Sequence, residues 1–351
     1  MISNYLSLKL KVTSFLLMIL VVFIHSYNLN DSSSGVKGYL YLTENFISGG
    51  IALVAVPLFF IVSGFLFFFS VTNGRKEIFG KMSKRFYTLL VPFVFWSLFS
   101  LLIYLAIQSF PQFDRFFNQT LIKDFTLKEL LLKVFIDPFA YQLWFLRDLI
   151  VLVIFSPLIY WSIKQLNFII VIMALIVWFL NSDLIIISNL SFPFFIIGSW
   201  LGIRKKYKLD KVPSILTVTF LGLWLLILWL LVFVISFNTD FSHLYIFVKN
   251  TGILFGLVAF WGVYDLVYAT SEKRFLILLP VLPYTFFLYG FHEPILSIIK
   301  KILFLLFGKA DFSLLFIYFL APVLVIVISL FTAHLLKRFI PRLYLIVSGG
   351  R

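Results

Sequence analysis

Apolar residues in this chain do not keep to one helical stripe or alternate as in a half-buried strand; they cover every face of long stretches, and polar residues are confined to the segments between. Segments that are apolar all round are core helices or membrane spans. About 20 such residues cross the hydrocarbon layer, because a helix bonds every backbone amide within itself. Ten stretches qualify, near 12–28, 46–72, 86–110, 142–163, 165–181, 184–203, 213–237, 243–268, 275–298 and 313–336, the fifth being the shortest. The pattern predicts an all-α integral membrane protein of about ten transmembrane helices, with both termini on one side. No composition break, Ser/Pro-rich linker or fixed-period repeat divides it, so residues 1–351 read as a single membrane domain without a separate soluble one. The connection near 111–141 contains DFTLKELLLKVF, whose Leu spacing predicts a short helix lying on the membrane surface.

Composition sharpens that picture. Of 351 residues 62% are hydrophobic and 13% charged, with 46 Phe, against roughly 45–50% and 25% in soluble domains. This excludes disordered, collagen-like and nucleic-acid-binding classes. The 29 basic and 15 acidic residues first report orientation. With a cytoplasmic amino terminus, 19 Lys and Arg fall on inner segments, among them Arg75, Lys76, Lys205, Lys206, Lys208, Lys273, Arg274 and Arg351, and 8 on outer ones, among them Lys37 and Arg115. The excess predicts both termini in the cytoplasm, and the membrane crossed is expected to be the cell's inner (plasma) membrane. No small-residue cleavage site follows His25, so the first span reads as permanent. The absence of Cys removes disulfides, thiolate nucleophiles and Cys-ligated metals.

Charge inside a span is costly, so each such residue is a functional candidate. His25 ends VVFIH at the outer end of the first span, either as a reactive imidazole or as one bonded to neighbouring backbone. Tyr289, His292 and Glu293 share one broad helical face, and Pro294 predicts a kink against Gly290. A His–Glu pair facing inward is an acid–base arrangement in form, the carboxylate fixing the imidazole tautomer; a structural pair is equally compatible. Arg147 and Asp148 are adjacent, about 100° apart on a helix, and are expected to take partners on different helices. Lys249 and Asp265 are sixteen residues apart and read as packing or cavity groups, and His334 as interfacial. Arg85 opens RFYTLLVP, where it could face a cavity and meet a phosphate-rich ligand from the cytoplasm. No Walker loop, dinucleotide fingerprint or zinc motif is present.

In order along the chain, VVFIHS, VPLFFIVSGFLF at 56–67, KRFYTLLVPF at 84–93, LWFLRDL around Trp144, FPFFIIG at 192–198 and FFLYGFHEPIL at 286–296 resemble the motifs of the acyltransferase-3 family, integral-membrane enzymes that O-acylate cell-surface glycans and related molecules. One departure stands out. The family commonly carries Arg eleven residues before the first-helix His, where this chain has Ser14. Ser14 shares the His25 face, and Lys11, one turn earlier, lies within about 40° of it and could replace the missing cation.

The resemblance implies transfer of an acyl group, acetyl by family frequency, from cytoplasmic acyl-CoA to a hydroxyl of a cell-surface or lipid-linked sugar, without a metal. His25 would be the general base or a transient acyl carrier, and Arg147 would stabilise carbonyl charge or orient the acceptor. Arg85, Lys11 and Ser14 would hold the donor. His292 and Glu293 would shape the acceptor end, with Ser63, Trp144, Asp148 and Tyr289 along the tunnel. Membrane lipid, a polysaccharide acceptor and glycan-assembly machinery are the implied partners. The reading from another class is a multi-pass transporter or flippase, since such proteins also hold His, Arg and Asp at depth.

Overall fold

A computed structural model describes residues 2–28, 38–71, 74–110, 121–181, 187–204, 209–233, 242–270, 275 and 277–350. Lys37, Arg115, Lys205, Lys206, Lys208, Lys273, Arg274, Arg351 and the side chain of Arg75 lie outside the described residues. Every regular element among those described is helical: α1 Asn4–His25, α2 Tyr39–Ile47, α3 Ala55–Phe69, α4 Arg75–Gln108, α5 Leu127–Phe135, α6 Trp144–Ile154, α7 Ser156–Leu166, α8 Ile169–Phe179, α9 Ser191–Arg204, α10 Ser214–Phe233, α11 Ser242–Thr270, α12 Thr285–Phe307, α13 Asp311–Phe339 and α14 Pro341–Val347, with short 3-10 turns between some of them.

Each of the ten apolar stretches falls on one or two of these helices. Among the described residues six helical segments are long and apolar enough to cross a membrane, or seven if α6 and α7, with the turn at Tyr141 and a 64° bend between them, form one span. Three stretches depart for physical reasons. The 11 residues of α8 and 14 of α9 rise only about 17 and 21 Å, short of the ~30 Å core. In α12 the charged residues Glu293, Lys300 and Lys301 interrupt the apolar run, and charge within a span is costly. Large apolar side chains such as Leu102, Trp229, Val327 and Phe331 are outward and exposed, which suits a multi-pass membrane protein whose surroundings are lipid.

The centre is built by close approach. A Cβ on Gly64 would lie 2.4 Å from the Phe195 carbonyl, and one on Gly198 only 1.9 Å from that of Ile61. The glycines of the SGF and FIIG motifs therefore let α3 and α9 touch backbone to backbone, and that contact fixes the rotation of α3. Helix α1 begins at an N-cap, Ser3 accepting from the Leu6 N–H at 3.1 Å, and runs against α3, α11, α12 and α13. Near its amino-terminal end it is anchored by a buried ion pair: Lys9 Nζ lies 2.7 Å from Asp265 Oδ1. Asp265, expected to pack without a role, thus finds its partner across 256 residues of sequence.

The short helix predicted in DFTLKELLLKVF is α5, opened by a capping box in which Thr126 and Glu129 satisfy each other's backbone N–H. Leu127, Leu131 and Phe135 are exposed on it. Beyond the last predicted span, α14 turns back onto the bundle: Trp96 Nε1 donates to the Val347 carbonyl at 3.0 Å, and the Tyr344 hydroxyl to that of Pro283 at 3.0 Å.

Candidate functional site

One elongated cavity of about 670 Å³ runs through the helices, with mostly apolar walls. Lys11, Ser14, Met18, Val21 and His25 of α1 all line it, the spacing expected of a single helical face. The fourteen residue steps from Lys11 to His25 span about 21 Å at 1.5 Å per residue. Arg85 and Leu89 of α4 line the same cavity, as do Ser63 of α3, Trp144 and Phe145 of α6, and Tyr289 of α12. Ser63 faces inward because Gly64 beside it is pressed on α9. Seven sequence-derived candidates, Lys11, Ser14, His25, Ser63, Arg85, Trp144 and Tyr289, thus line one cavity.

At the far end of α1 the His25 ring is held between two others. His292 stacks on it with centroids 5.4 Å apart and planes 20° from parallel, and Tyr141 meets it edge-on at 4.7 Å and 80°. No hydrogen bond fixes either His25 nitrogen among the described residues. Aromatic packing therefore sets the ring's position, and both nitrogens stay available for proton exchange.

The expected kink is present. Glu293 has φ −111° and ψ 135°, breaking α12, and the Glu293–Pro294 peptide is cis. The expected His292–Glu293 partnership is not what the break produces. His292 Nδ1 lies 2.8 Å from the Tyr289 carbonyl and 3.2 Å from that of Leu288. A carbonyl only accepts, so Nδ1 carries the proton and backbone, not the carboxylate, sets the tautomer. The Glu293 carboxylate instead accepts from the Tyr141 hydroxyl at 3.1 Å and the Ser297 hydroxyl at 2.8 Å. Both His292 and Glu293 are buried behind the cavity wall and do not line it.

Arg147 and Asp148 correct a second expectation. They bond each other, Arg147 Nε and Nη2 reaching Asp148 Oδ1 at 3.2 and 3.1 Å. Their Cβ directions differ by about 100°, but a long guanidinium side chain folds back across that angle. Arg147 Nη1 donates to the Ile136 carbonyl at 2.8 Å, and Asp148 Oδ2 accepts from the Ser188 N–H at 2.8 Å. The pair ties the segment after α5 and the segment before α9 to the start of α6. Neither residue lines the cavity, so a role for Arg147 at a carbonyl inside it finds no support in this geometry.

Sequence reading missed Tyr141 and Gln142. Gln142 lines the cavity, donates to the Glu293 carbonyl at 3.2 Å, and its own carbonyl accepts from the Tyr289 hydroxyl at 2.8 Å. Pro294 was the available signal: lacking an N–H, it leaves the Gly290 carbonyl in need of a donor from elsewhere. It does not say which residue supplies one. No group of three or more His, Asp or Glu close enough to hold a metal ion occurs among the described residues.

Comparison with known proteins gives one match. The acyltransferase-3 family model, described as an acyltransferase domain, covers residues 13–334. No curated protein and no solved structure matches the chain.

Proposed function

The chain belongs to the acyltransferase-3 family and is an acyltransferase carrying membrane-spanning helices, and from that premise we propose that it moves an acyl group, acetyl in the first instance, from cytoplasmic acyl-CoA to a hydroxyl of a cell-surface or lipid-linked sugar. The observation that carries this reading is the single cavity with Lys11 and Arg85 toward one end of α1 and His25 at the other.

The cationic end suits phosphate oxygens: Lys11 and Arg85 bring charge, Arg85 a planar fork of donors, and Ser14 a hydroxyl. The apolar length between suits an uncharged arm ending in a thioester near His25. A hydroxyl is a poor nucleophile until a base takes its proton, which is the task of His25. The acceptor oxygen bonds to the thioester carbon, the carbon–sulfur bond breaks, and the proton held by His25 passes to the departing thiolate. Trp144, Phe145 and Tyr289 keep water from the thioester. Arg147 and Asp148 act at a distance from the reacting atoms, holding the rim through which the acceptor enters.

Ten crossings with both termini cytoplasmic, in the plasma membrane, complete the reading, α8 and α9 crossing at a locally thinned or protein-packed part of the bilayer. Purified protein given labelled acyl-CoA should bind it and release free CoA thiol, which a flippase or exporter would not do. A reporter fused after Arg351 should behave as cytoplasmic and one inserted near Gln112 as external. An external carboxyl-terminal reporter would put His25 on the wrong side and defeat the topology.

A further inference from the structure

Pro294 cannot donate to the carbonyl of Gly290, the bond an unbroken helix would make. Gln142 fills the gap: its Nε2 lies 3.4 Å from the Gly290 carbonyl and 3.2 Å from that of Glu293. Two carbonyls can only accept, so the side-chain amide has one possible orientation, nitrogen toward α12 and oxygen away from those carbonyls. That oxygen, Oε1, is buried without a hydrogen-bond partner, on a residue that is 2% exposed and lines the cavity with His25.

A second acceptor, in the ring stacked on His25, is in the same state. With Nδ1 committed to backbone, His292 keeps a lone pair on Nε2, which is likewise buried and unpartnered, in the ring stacked on His25. The two neighbouring phenols are already spent as donors, Tyr141 on Glu293 and Tyr289 on the Gln142 carbonyl. The surroundings of His25 thus offer acceptors, whereas the Lys11 and Arg85 end offers cations. Acceptors repel carboxylate and phosphate and are satisfied by neutral O–H groups.

We propose that Gln142 is an acceptor-binding residue: its Oε1 takes the hydrogen of one substrate hydroxyl while His25 deprotonates a neighbouring one. The acceptor is then a neutral polyhydroxyl compound presenting at least two adjacent O–H groups, and a simple monoalcohol is discriminated against because it leaves Oε1 unpaired. The inference rests on the proposed transfer to a hydroxyl and adds what the site recognises besides the attacking group.

The test uses membranes from cells producing the full chain, with acetyl-CoA labelled in the acetyl group. The quantity read is the ratio of base-labile ester formed to free acetate released, so a general loss of rate cancels. Gln142→Met removes the acceptor and the donor; Gln142→Lys keeps donors for the two carbonyls and has no acceptor. Both should lower the ratio about tenfold, the worth of one hydrogen bond. A ratio held at the wild-type value, whatever the total rate, overturns the proposal and leaves Gln142 a brace for the α12 break. A measurement on the wild type needs no variant: ethylene glycol should be acetylated about five- to tenfold faster than ethanol at equal concentration, and equal rates overturn the proposal. Wild-type membranes that release no CoA thiol from acetyl-CoA would instead defeat the transferase reading, and this inference with it.

Discussion

Two buried polar clusters flank α1, and they differ in how completely they are satisfied. Lys9 uses all three of its donors. Its ammonium donates to both Asp265 oxygens at 2.7 and 2.8 Å and to the Asp210 carbonyl at 3.2 Å, with the Trp261 ring 4.4 Å below. Asp265 also accepts from the Val212 N–H at 2.8 Å and from the Tyr5 hydroxyl. Around His25 the reverse holds: Gln142 Oε1 and His292 Nε2 are buried and unpartnered. Burial of ionisable groups is common to both. What separates a clamp from a site is unfilled hydrogen-bonding capacity beside a cavity, since buried acceptors without donors are destabilising and rare.

The sharpest way to break this comparison is His25→Ala. Losing a positioned base should cost about 10²–10⁴-fold in turnover per mole of folded protein. Neither His25 nitrogen is part of a hydrogen-bond network among the described residues, so insertion, extraction as a compact particle and acyl-CoA affinity should persist. Turnover above about a tenth of wild type would remove the catalytic assignment.

Lys9→Met should do the opposite, damaging stability rather than chemistry. It leaves the Asp265 carboxylate buried without its counter-charge, a change worth about 3–5 kcal/mol when one partner of a buried pair is removed. Thermal unfolding in detergent should shift down strongly, and Lys9→Met combined with Asp265→Leu should recover most of the loss. A Lys9→Met protein of normal stability that no longer turns over would mean the saturated cluster takes part in the reaction.

How much of this was legible beforehand follows the range of the interactions. Local periodicity placed Lys11, Ser14 and His25 on one face, and the imino ring of Pro294 announced a break against Gly290, because both depend on a few consecutive residues. The Lys9–Asp265 pair was invisible, since its partners come from helices brought together only by packing. The tautomer of His292 was misassigned for a related reason: once the helix breaks, backbone carbonyls outcompete a neighbouring carboxylate, and a sequence does not display which carbonyls are freed. For Arg147 the error lay in treating a flexible side chain as a direction. The helix α14 carries too few residues to register as a span, although Tyr344 and Val347 are almost wholly buried in it.

A smaller effect probes the other end of the cavity. Arg85 lines it while its neighbour Lys84 is exposed. Arg85→Ala should raise the KM for acyl-CoA about tenfold, as expected for loss of a charge-assisted phosphate contact, and change kcat little. Lys84→Ala should change neither, because an exposed, screened charge contributes little. Equal and small effects of both substitutions would reduce Arg85 to a topological charge.

The smallest expected effect separates two ways for Glu293 to matter. Its carboxylate does not reach the cavity, but it accepts from the Tyr141 hydroxyl, whose ring lies edge-on against His25. Glu293 is therefore a positioning residue that acts on His25 through Tyr141. Tyr141→Phe keeps the ring and removes the hydrogen bond, so kcat should fall only about three- to tenfold, the range of one such bond, with the KM for acyl-CoA unchanged. Glu293→Ala should lower kcat at least as far, because Ser297 and Tyr141 both lose their acceptor. The decisive measurement is the double variant. If Glu293 works through the phenol, adding Tyr141→Phe to Glu293→Ala costs nothing further, since the bond it would remove is already gone. Independent losses that multiply would place Glu293 in direct contact with the substrate, and the unsaturated cluster would then hold a carboxylate as well as two neutral acceptors.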